Sequence, residues 1–168
     1  DEFHQISAPN VRLQWLASRF ALQQVAKSRD MDIHKDIHGK PHLVNDHRFI
    51  SISHCQGFVA AIAAEVAVGI DVEMINNRVQ RIKDRFLSAA ELDMLGNSDA
   101  ALMLAWSAKE AVYKMYGARK LLFKEHMQIE QLDYDKSAMQ LRLILPTQEL
   151  LLKVNFMVDD QKVLSWVV

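Results

Sequence analysis

The spacing of apolar side chains predicts an amphipathic helix over residues 10–27. Its apolar residues recur at intervals of three or four positions, the period of one face of an α-helix: Leu13, Leu16, Ala17 and Phe20. Asn10 precedes them and is a residue type that caps helices well, so we expect the helix to begin there.

Two further helices are predicted in the middle of the chain. Ser88 and Glu91 have the spacing of a capping box, which opens a short helix. A longer helix is predicted over 99–116, with Ser98 as its N-cap and Gly117 as its terminator.

Runs of alternating or β-branched residues predict strands on both sides of these helices. The runs are 49–54, 58–65 and 68–74 before the helices, and 127–134, 139–145, 150–158 and 162–168 after them. A helix followed by several strands therefore occurs twice, without the regular strand–helix alternation of a parallel sheet. This order indicates an α+β fold.

The composition excludes several classes of protein. The chain of 168 residues has 20 Lys or Arg and 21 Asp or Glu, so its net charge is -1 and nothing favours a nucleic-acid partner. The longest apolar run, 58–64, is far too short to span a membrane. The single cysteine excludes an internal disulfide and a four-cysteine zinc site. Because the first residues lack the features of a signal peptide, we expect a cytoplasmic protein without a membrane partner.

Asp71 and Glu73 form the first candidate site. Residues two apart on a strand project from the same face, so both carboxylates should point together. Two such charges about 5 Å apart repel by roughly 3 kcal/mol at an effective dielectric constant near 20, so a cation should compensate them. Oxygen ligands suit Mg²⁺ better than zinc. The alternative is a solvated acidic face on an edge strand.

Glu110 and Lys114 form the second candidate site. They lie four residues apart on the predicted helix 99–116 and therefore share one side of it. A surface ion pair is the simpler interpretation. However, the helix is rich in small and apolar residues, which predicts that it is largely buried, and buried charges need partners such as a metal ion or a phosphate.

A third candidate combines Lys40 and Pro41 with Ser53 and His54. A lysine on a segment stiffened by proline, together with a serine and a histidine near a turn, could form a phosphate pocket. The alternatives are a solvated lysine and a structural histidine.

Histidines at four-residue spacing favour a different class, a His-rich metal-binding protein. They are His34, His38 and His42. Gly39 and Pro41 interrupt the helix that this site would need, which weakens the interpretation.

Taken together, four segments resemble the 4'-phosphopantetheinyl transferase superfamily, in its larger, broad-specificity type. In order, they are Gly39-Lys40-Pro41, Phe49-Ile50-Ser51-Ile52-Ser53-His54, Gly69-Ile70-Asp71-Val72-Glu73 and Trp106-Ser107-Ala108-Lys109-Glu110-Ala111-Val112-Tyr113-Lys114. The resemblance implies a Mg²⁺-dependent enzyme that moves the phosphopantetheine arm of coenzyme A to a serine of an acyl or peptidyl carrier protein and releases 3',5'-ADP. A non-catalytic coenzyme A binder is the alternative.

The resemblance also implies a fold of two pseudo-symmetric lobes, each a helix packed on a small antiparallel sheet. We expect these lobes at 1–75 and 76–168, together forming one compact unit that is sufficient as a monomer. Members of this type usually have a strand and coenzyme A contacts before the first helix. Since this chain begins close to that helix, we expect those contacts to be absent or to lie outside the sequence.

The resemblance implies roles for particular side chains. Asp71, Glu73 and Glu110 would hold Mg²⁺, with Glu110 also the base for the carrier serine and Lys114 steadying the phosphates. The residues expected to bind coenzyme A are Lys40, Pro41, Ser53, His54, Asp71, Glu110 and Lys114. An acidic carrier protein would need a basic surface, for which a solvated helix face is the alternative; its candidates are Arg78, Arg81, Lys83 and Arg85.

Overall fold

Two antiparallel sheets dominate the computed structural model, which describes residues 6–27, 31–118 and 121–168. The described helices are α1 (Pro9–Ala26), α2 (Lys83–Phe86), α3 (Ala89–Leu95), α4 (Asp99–Tyr116) and α5 (Phe123–His126), with a 3-10 helix at Asn77–Arg81. The α+β class predicted from the sequence is confirmed. None of the described helices is long and apolar enough to cross a membrane.

The first sheet has four strands, in the order β1-β2-β3-β4. They are β1 (Ile33–Lys35), β2 (Pro41–Leu43), β3 (Phe49–Cys55) and β4 (Phe58–Ala64). Helix α1 packs on β3 and β4. The sequence predicted β3 and β4 but not the two shorter strands.

Helix α1 starts and faces differently from the prediction. It begins at Pro9, whose fixed φ suits the first helical position, and its N-cap is Ala8 rather than Asn10. The predicted apolar face is largely exposed, with Leu13 67% and Phe20 64% accessible. The residues buried against the sheet are instead Ser18, Leu22 and Ala26, which also repeat every four positions.

The second sheet has five strands, in the order β5-β9-β8-β7-β6. They are β5 (Gly69–Met74), β6 (Met127–Asp133), β7 (Ala138–Leu145), β8 (Gln148–Val158) and β9 (Lys162–Val167). Helix α4 contacts β5, β8 and β9 and forms the centre of the larger hydrophobic core. Each sequence-predicted strand in this region agrees with the structure to within two residues at its ends.

Local signals place α3 and α4 as the sequence predicted. The Ser88 backbone N–H donates to Glu91 Oε2 (2.7 Å), and the Glu91 N–H donates to Ser88 Oγ (3.3 Å). Ser98 Oγ accepts from the Ala101 N–H at 3.2 Å, and Gly117 ends α4 in the left-handed region at φ 73°. Both helix ends therefore follow from capping residues.

Strand β5 lies where the two sheets meet. The Ile70 N–H donates to Ser51 Oγ of β3 at 3.1 Å, while Asp71 pairs with Ser165 of β9. Although β5 falls within the range 1–75, it belongs to the sheet of the later strands. The division into lobes at 1–75 and 76–168 stays a prediction.

Gly69 allows β5 and α4 to approach closely. A Cβ atom at this position would lie 1.8 Å from the Ala111 carbonyl oxygen and 2.7 Å from the Met115 nitrogen. Since both contacts are with the helix backbone, no side-chain rotation could relieve them. Because Gly69 has no side chain, the helix that carries Glu110 and Lys114 can pack closely against the strand that carries Asp71 and Glu73.

Candidate active site

A hydrogen-bonded triad of two buried residues, Ser53 and Asp71, and the partly exposed Lys114 joins β3, β5 and α4. Asp71 Oδ1 accepts hydrogen bonds from Ser53 Oγ (2.8 Å) and Lys114 Nζ (2.7 Å). Lys114 Nζ also donates to Ser53 Oγ at 2.9 Å. The three side chains come from elements far apart in the sequence, and the Lys114 ammonium supplies the positive charge that the acids were expected to need.

The Asp71 carboxylate does not lie on a solvated face. The residue is 3% exposed, so the alternative of a solvent-facing acidic strand is wrong at this position. Its second oxygen, Oδ2, is buried and has no hydrogen-bond partner among the described residues. A buried carboxylate oxygen of this kind is a candidate ligand for a cation or a bound polar group.

Asp71 contributes to a raised pKa at both Glu110 and Glu73. Burial, Asp71 and Glu73 raise the pKa of Glu110 to about 7, while Lys114 opposes the increase. Burial and then Asp71 raise the pKa of Glu73, whereas a hydrogen bond from Trp106 and the Lys114 charge lower it. Asp71 therefore lies close enough to both glutamates to raise their pKa values.

A cavity of about 200 Å³ opens beside Lys114. Lys40, Pro41 and Ser51 line it, together with Gly117 at the end of α4. Lys40 Nζ donates to the Met115 carbonyl oxygen at 2.6 Å, and burial lowers the pKa of Lys40 against the opposing charge of Asp36. We call this space the donor cavity.

A cleft of about 510 Å³ opens beside Glu110. Four aromatic residues line it, one of which is Tyr113. Phe86 and Trp106 pack edge to face at 5.1 Å between ring centroids, and Phe123 lies 5.3 Å from Trp106. Arg85 lies at its wall as well. We call this space the aromatic cleft. Helix α4 thus presents Lys114 to the donor cavity and Glu110 to the aromatic cleft.

Two predicted residues differ in their surroundings. Ser53 contacts Asp71 and Lys114 as described, but His54, the next residue on β3, is exposed. Adjacent strand residues face opposite sides, so His54 points away from the Ser53 side. Its role in binding coenzyme A stays a prediction.

Lys109 points into the protein, away from the two cavities. It is fully buried, and its Nζ pairs with Glu91 Oε1 at 2.7 Å and donates to the carbonyl oxygens of Phe86 (2.6 Å) and Phe123 (3.1 Å). Three acceptors match the three N–H groups of an ammonium. Lys109 therefore holds together the backbone beneath the aromatic cleft.

The donor set suits a hard cation such as Mg²⁺. Asp71, Glu73 and Glu110 offer only oxygen ligands, and the buried Asp71 Oδ2 lacks a partner. Within residues 6–27, 31–118 and 121–168, however, no three His, Cys, Asp or Glu side chains are arranged as a metal site. The chemistry of these acids fits magnesium, and their assignment as ligands stays a prediction.

The histidines near the first sheet have contacts of their own. His34 and His42 are cross-strand partners with stacked rings 5.3 Å apart, and His42 Nε2 lies 3.1 Å from Asp36 Oδ2. The structure forms two short strands here rather than the helix that four-residue histidine spacing would require.

Comparison with known proteins identifies the family. A family model described as the 4'-phosphopantetheinyl transferase superfamily matches residues 67–162, more than half of the chain. The chain therefore belongs to this superfamily, which confirms the resemblance seen in the sequence. It is also similar to enterobactin synthase component D of Salmonella typhi, with 35% identity over 83 residues that cover 46% of this chain and 36% of that protein. The match thus spans about a third of the length of this curated relative.

Some residues at the site were not singled out from the sequence. Ser107 is fully buried, and its hydroxyl donates to the Asp71 carbonyl oxygen at 3.2 Å. Helical spacing could have revealed it, since positions 107, 110 and 114 lie on one face. Tyr113 lines both cavities, but nothing in its local sequence distinguishes it from a core aromatic residue.

Proposed function

We propose that this protein transfers the 4'-phosphopantetheine arm of coenzyme A to a serine of an acyl or peptidyl carrier protein. Family membership supports transfer of this group in general. The observation that carries the proposal is the position of α4, which presents Lys114 to the donor cavity and Glu110 to the aromatic cleft beside a buried acidic cluster.

The donor cavity is proposed to hold part of coenzyme A. Lys40 and Lys114 supply two ammonium groups at this cavity, which suits the phosphates of the donor. Pro41 and the neighbouring turn supply the wall, and Ser53 orients Lys114 through its hydroxyl. His54, which is exposed on β3, is also proposed to contact coenzyme A.

The aromatic cleft is proposed to receive the carrier protein. Its apolar walls suit the apolar face of a docking helix, and Arg85 suits an acidic partner. Of the other predicted basic residues, Arg78 and Arg81 are exposed, whereas Lys83 hydrogen-bonds Asn97. We therefore assign the electrostatic contribution chiefly to the arginines.

Glu110 is proposed as the general base, directly or through a water molecule. It removes the proton of the carrier serine hydroxyl while the serine oxygen forms a bond to the phosphorus that carries the pantetheine arm. The pyrophosphate P–O bond breaks, and 3',5'-ADP leaves with the electron pair. In the metal-free site, burial and the neighbouring carboxylates raise the pKa of Glu110 to about 7, and base catalysis is most effective when the pKa lies near the working pH.

Magnesium is proposed as the cofactor, held by Asp71, Glu73 and Glu110. When bound, it would supply positive charge to the pyrophosphate as negative charge develops there. Lys114 already neutralises part of the acidic cluster and would contact the phosphates from the side of the donor cavity. Glu110 and Lys114 are thus the two residues proposed to be catalytic, with Glu110 at the aromatic cleft and Lys114 at the donor cavity.

The experiment is a transfer assay with labelled coenzyme A and a generic apo carrier protein. Glu110→Gln should lower kcat by roughly 10²- to 10⁴-fold, the range expected for loss of a general base. Glu149→Gln is the control, because Glu149 is an exposed glutamate that pairs with Arg142 on the second sheet. Chelation of divalent metal should abolish transfer, and added Mg²⁺ should restore it. Equal transfer by both variants would refute the assignment of Glu110.

A non-catalytic coenzyme A binder is the competing interpretation. It predicts coenzyme A binding without any gain in mass on the carrier protein. A cytoplasmic location, a monomeric state and the absence of nucleic-acid and membrane partners stay predictions.

A further inference from the structure

The turn between β1 and β2 forms one wall of the donor cavity. His38, Gly39, Lys40 and Pro41 all line that cavity. The turn closes through two backbone hydrogen bonds, from the Asp36 N–H to the Lys40 oxygen (3.0 Å) and from the Gly39 N–H to the Asp36 oxygen (2.9 Å). Gly39 adopts φ 89°, a conformation that strongly favours glycine.

The Asp36 side chain organises this turn from within. Its Oδ1 accepts hydrogen bonds from the backbone N–H groups of His38 (2.8 Å) and Lys40 (3.0 Å). Its Oδ2 lies 3.1 Å from His42 Nε2 on β2. One carboxylate therefore binds two amides in the turn and one side chain on the following strand, which fixes the backbone at Lys40.

The Lys40 side chain depends on that backbone position. From the turn it crosses to the end of α4, where its Nζ donates to the Met115 carbonyl oxygen. Its Cδ occupies the space that a side chain at Gly117 would fill, since a Cβ there would lie 2.4 Å away. A shift of the turn would move the ammonium out of this narrow position.

We propose that Asp36 is a positioning residue for coenzyme A, holding the β1–β2 turn so that Lys40 and the turn backbone face the phosphate-bearing donor. The inference rests on the proposed function and concerns the donor side alone. It predicts that Asp36 affects donor binding without affecting the chemical step at Glu110.

The neighbouring β2–β3 turn supplies a matched control. Asp46 accepts a hydrogen bond from the Arg48 N–H at 2.9 Å and pairs with the Arg48 guanidinium at 2.6 Å. Its chemistry resembles that of Asp36, but no described residue of the turn at 44–48 lines the donor cavity. Loss of Asp46 should disturb a turn of the same sheet without disturbing the cavity wall.

The experiment compares Asp36→Ala, Asp36→Asn and Asp46→Ala. Calorimetry gives the Kd of coenzyme A, and the transfer assay gives its KM and kcat. Asp36→Ala should raise Kd and KM about tenfold and change kcat less than about twofold, because a misplaced donor site costs binding free energy. Asp36→Asn should recover most of the affinity, since its amide oxygen can accept the two backbone hydrogen bonds. Asp46→Ala should bind coenzyme A within about twofold of the wild type.

Three results would overturn the inference or the function beneath it. Equal Kd values for Asp36→Ala and Asp46→Ala would overturn the role of Asp36 while leaving the transferase proposal intact. An Asp36→Asn variant as weak as Asp36→Ala would overturn the backbone-acceptor role. Wild-type protein that binds coenzyme A but transfers nothing would overturn the proposed function alone, because the Kd comparison would still test Asp36.

Discussion

The two sheets differ greatly in the cores that support them. Among the described residues, the core around the second sheet contains twenty buried apolar residues, whereas the core between α1 and the first sheet contains only Leu22, Leu43 and Ile50. The acidic residues and Lys114 lie on β5 and α4, beside the larger core. Lys40 and Pro41 lie at the β1–β2 turn of the first sheet, beside the smaller core. The proposed chemistry therefore rests on the better-packed part, and the proposed donor site extends onto the more weakly packed part.

The largest effect should come from the buried charge in the larger core. Lys109→Ala should lower the free energy of unfolding by about 3–5 kcal/mol, because Glu91 would keep a buried charge without its partner. Chemical denaturation measures this loss. Lys124→Ala is the control, since Lys124 also donates to a backbone carbonyl but lies at the surface, and it should cost less than about 1 kcal/mol. Similar losses for the two variants would contradict this account.

Matched leucines test the difference between the cores directly. Leu141 and Leu22 are both 0% exposed. Leu141→Ala should cost about 4 kcal/mol, because the dense core around it cannot collapse into the cavity, whereas Leu22→Ala should cost about 2 kcal/mol. Urea denaturation of both variants measures the two values. A larger loss at Leu22 would show that the first sheet is the better supported of the two.

Two buried serines should respond differently to removal of the hydroxyl. Ser18 Oγ has no hydrogen-bond partner among the described residues, whereas Ser107 Oγ donates to Asp71. Ser18→Ala should leave stability unchanged or raise it slightly, while Ser107→Ala should cost about 1 kcal/mol. Thermal melting of the pair provides the test, and an equal loss at both sites would indicate that Ser18 has a partner in solution.

The smallest effect concerns acid sensitivity in the first sheet. A hydrogen bond from His42, followed by those from the turn amides, lowers the pKa of Asp36 from 3.8 to about 2. Because the folded-state pKa is the lower one, the stabilisation is present above pH 3.8 and is lost as the pH falls toward about 2. The stability difference between wild type and Asp36→Asn should therefore shrink in this window. A difference that stays constant down to pH 2 would contradict the assigned pKa.

The sequence predicted most of the second sheet because its signals are local. Ser98 and Gly117 bracket α4 as capping residues, and its bounds agree with the prediction. Strand β1 escaped prediction because three residues containing His34 and Lys35 have no apolar alternation. The orientation of α1 was wrong because small residues such as Ser18 allow close packing on a sheet, which hydrophobicity alone does not reveal.

At the site, sequence reasoning found the residue types but not all of their partners. Glu110 and Lys114 were paired by their spacing on one helix, yet the Lys114 ammonium binds Asp71 and Ser53. That contact depends on how β3, β5 and α4 pack together, which no local pattern specifies. The sequence also did not show that Lys109, which is adjacent to Glu110, is a buried structural residue.

Gly69 has a consequence for how this protein tolerates mutation. It offers no functional group to a ligand, yet any larger residue there would collide with the backbone of α4 at Ala111 and Met115. In a saturation screen scored by activity, position 69 should therefore be as intolerant of change as the acidic residues themselves. Such a screen would therefore group Gly69, which has only a steric role, with the residues that take part in the chemistry. Only a separate measurement of folding would distinguish the two kinds of residue.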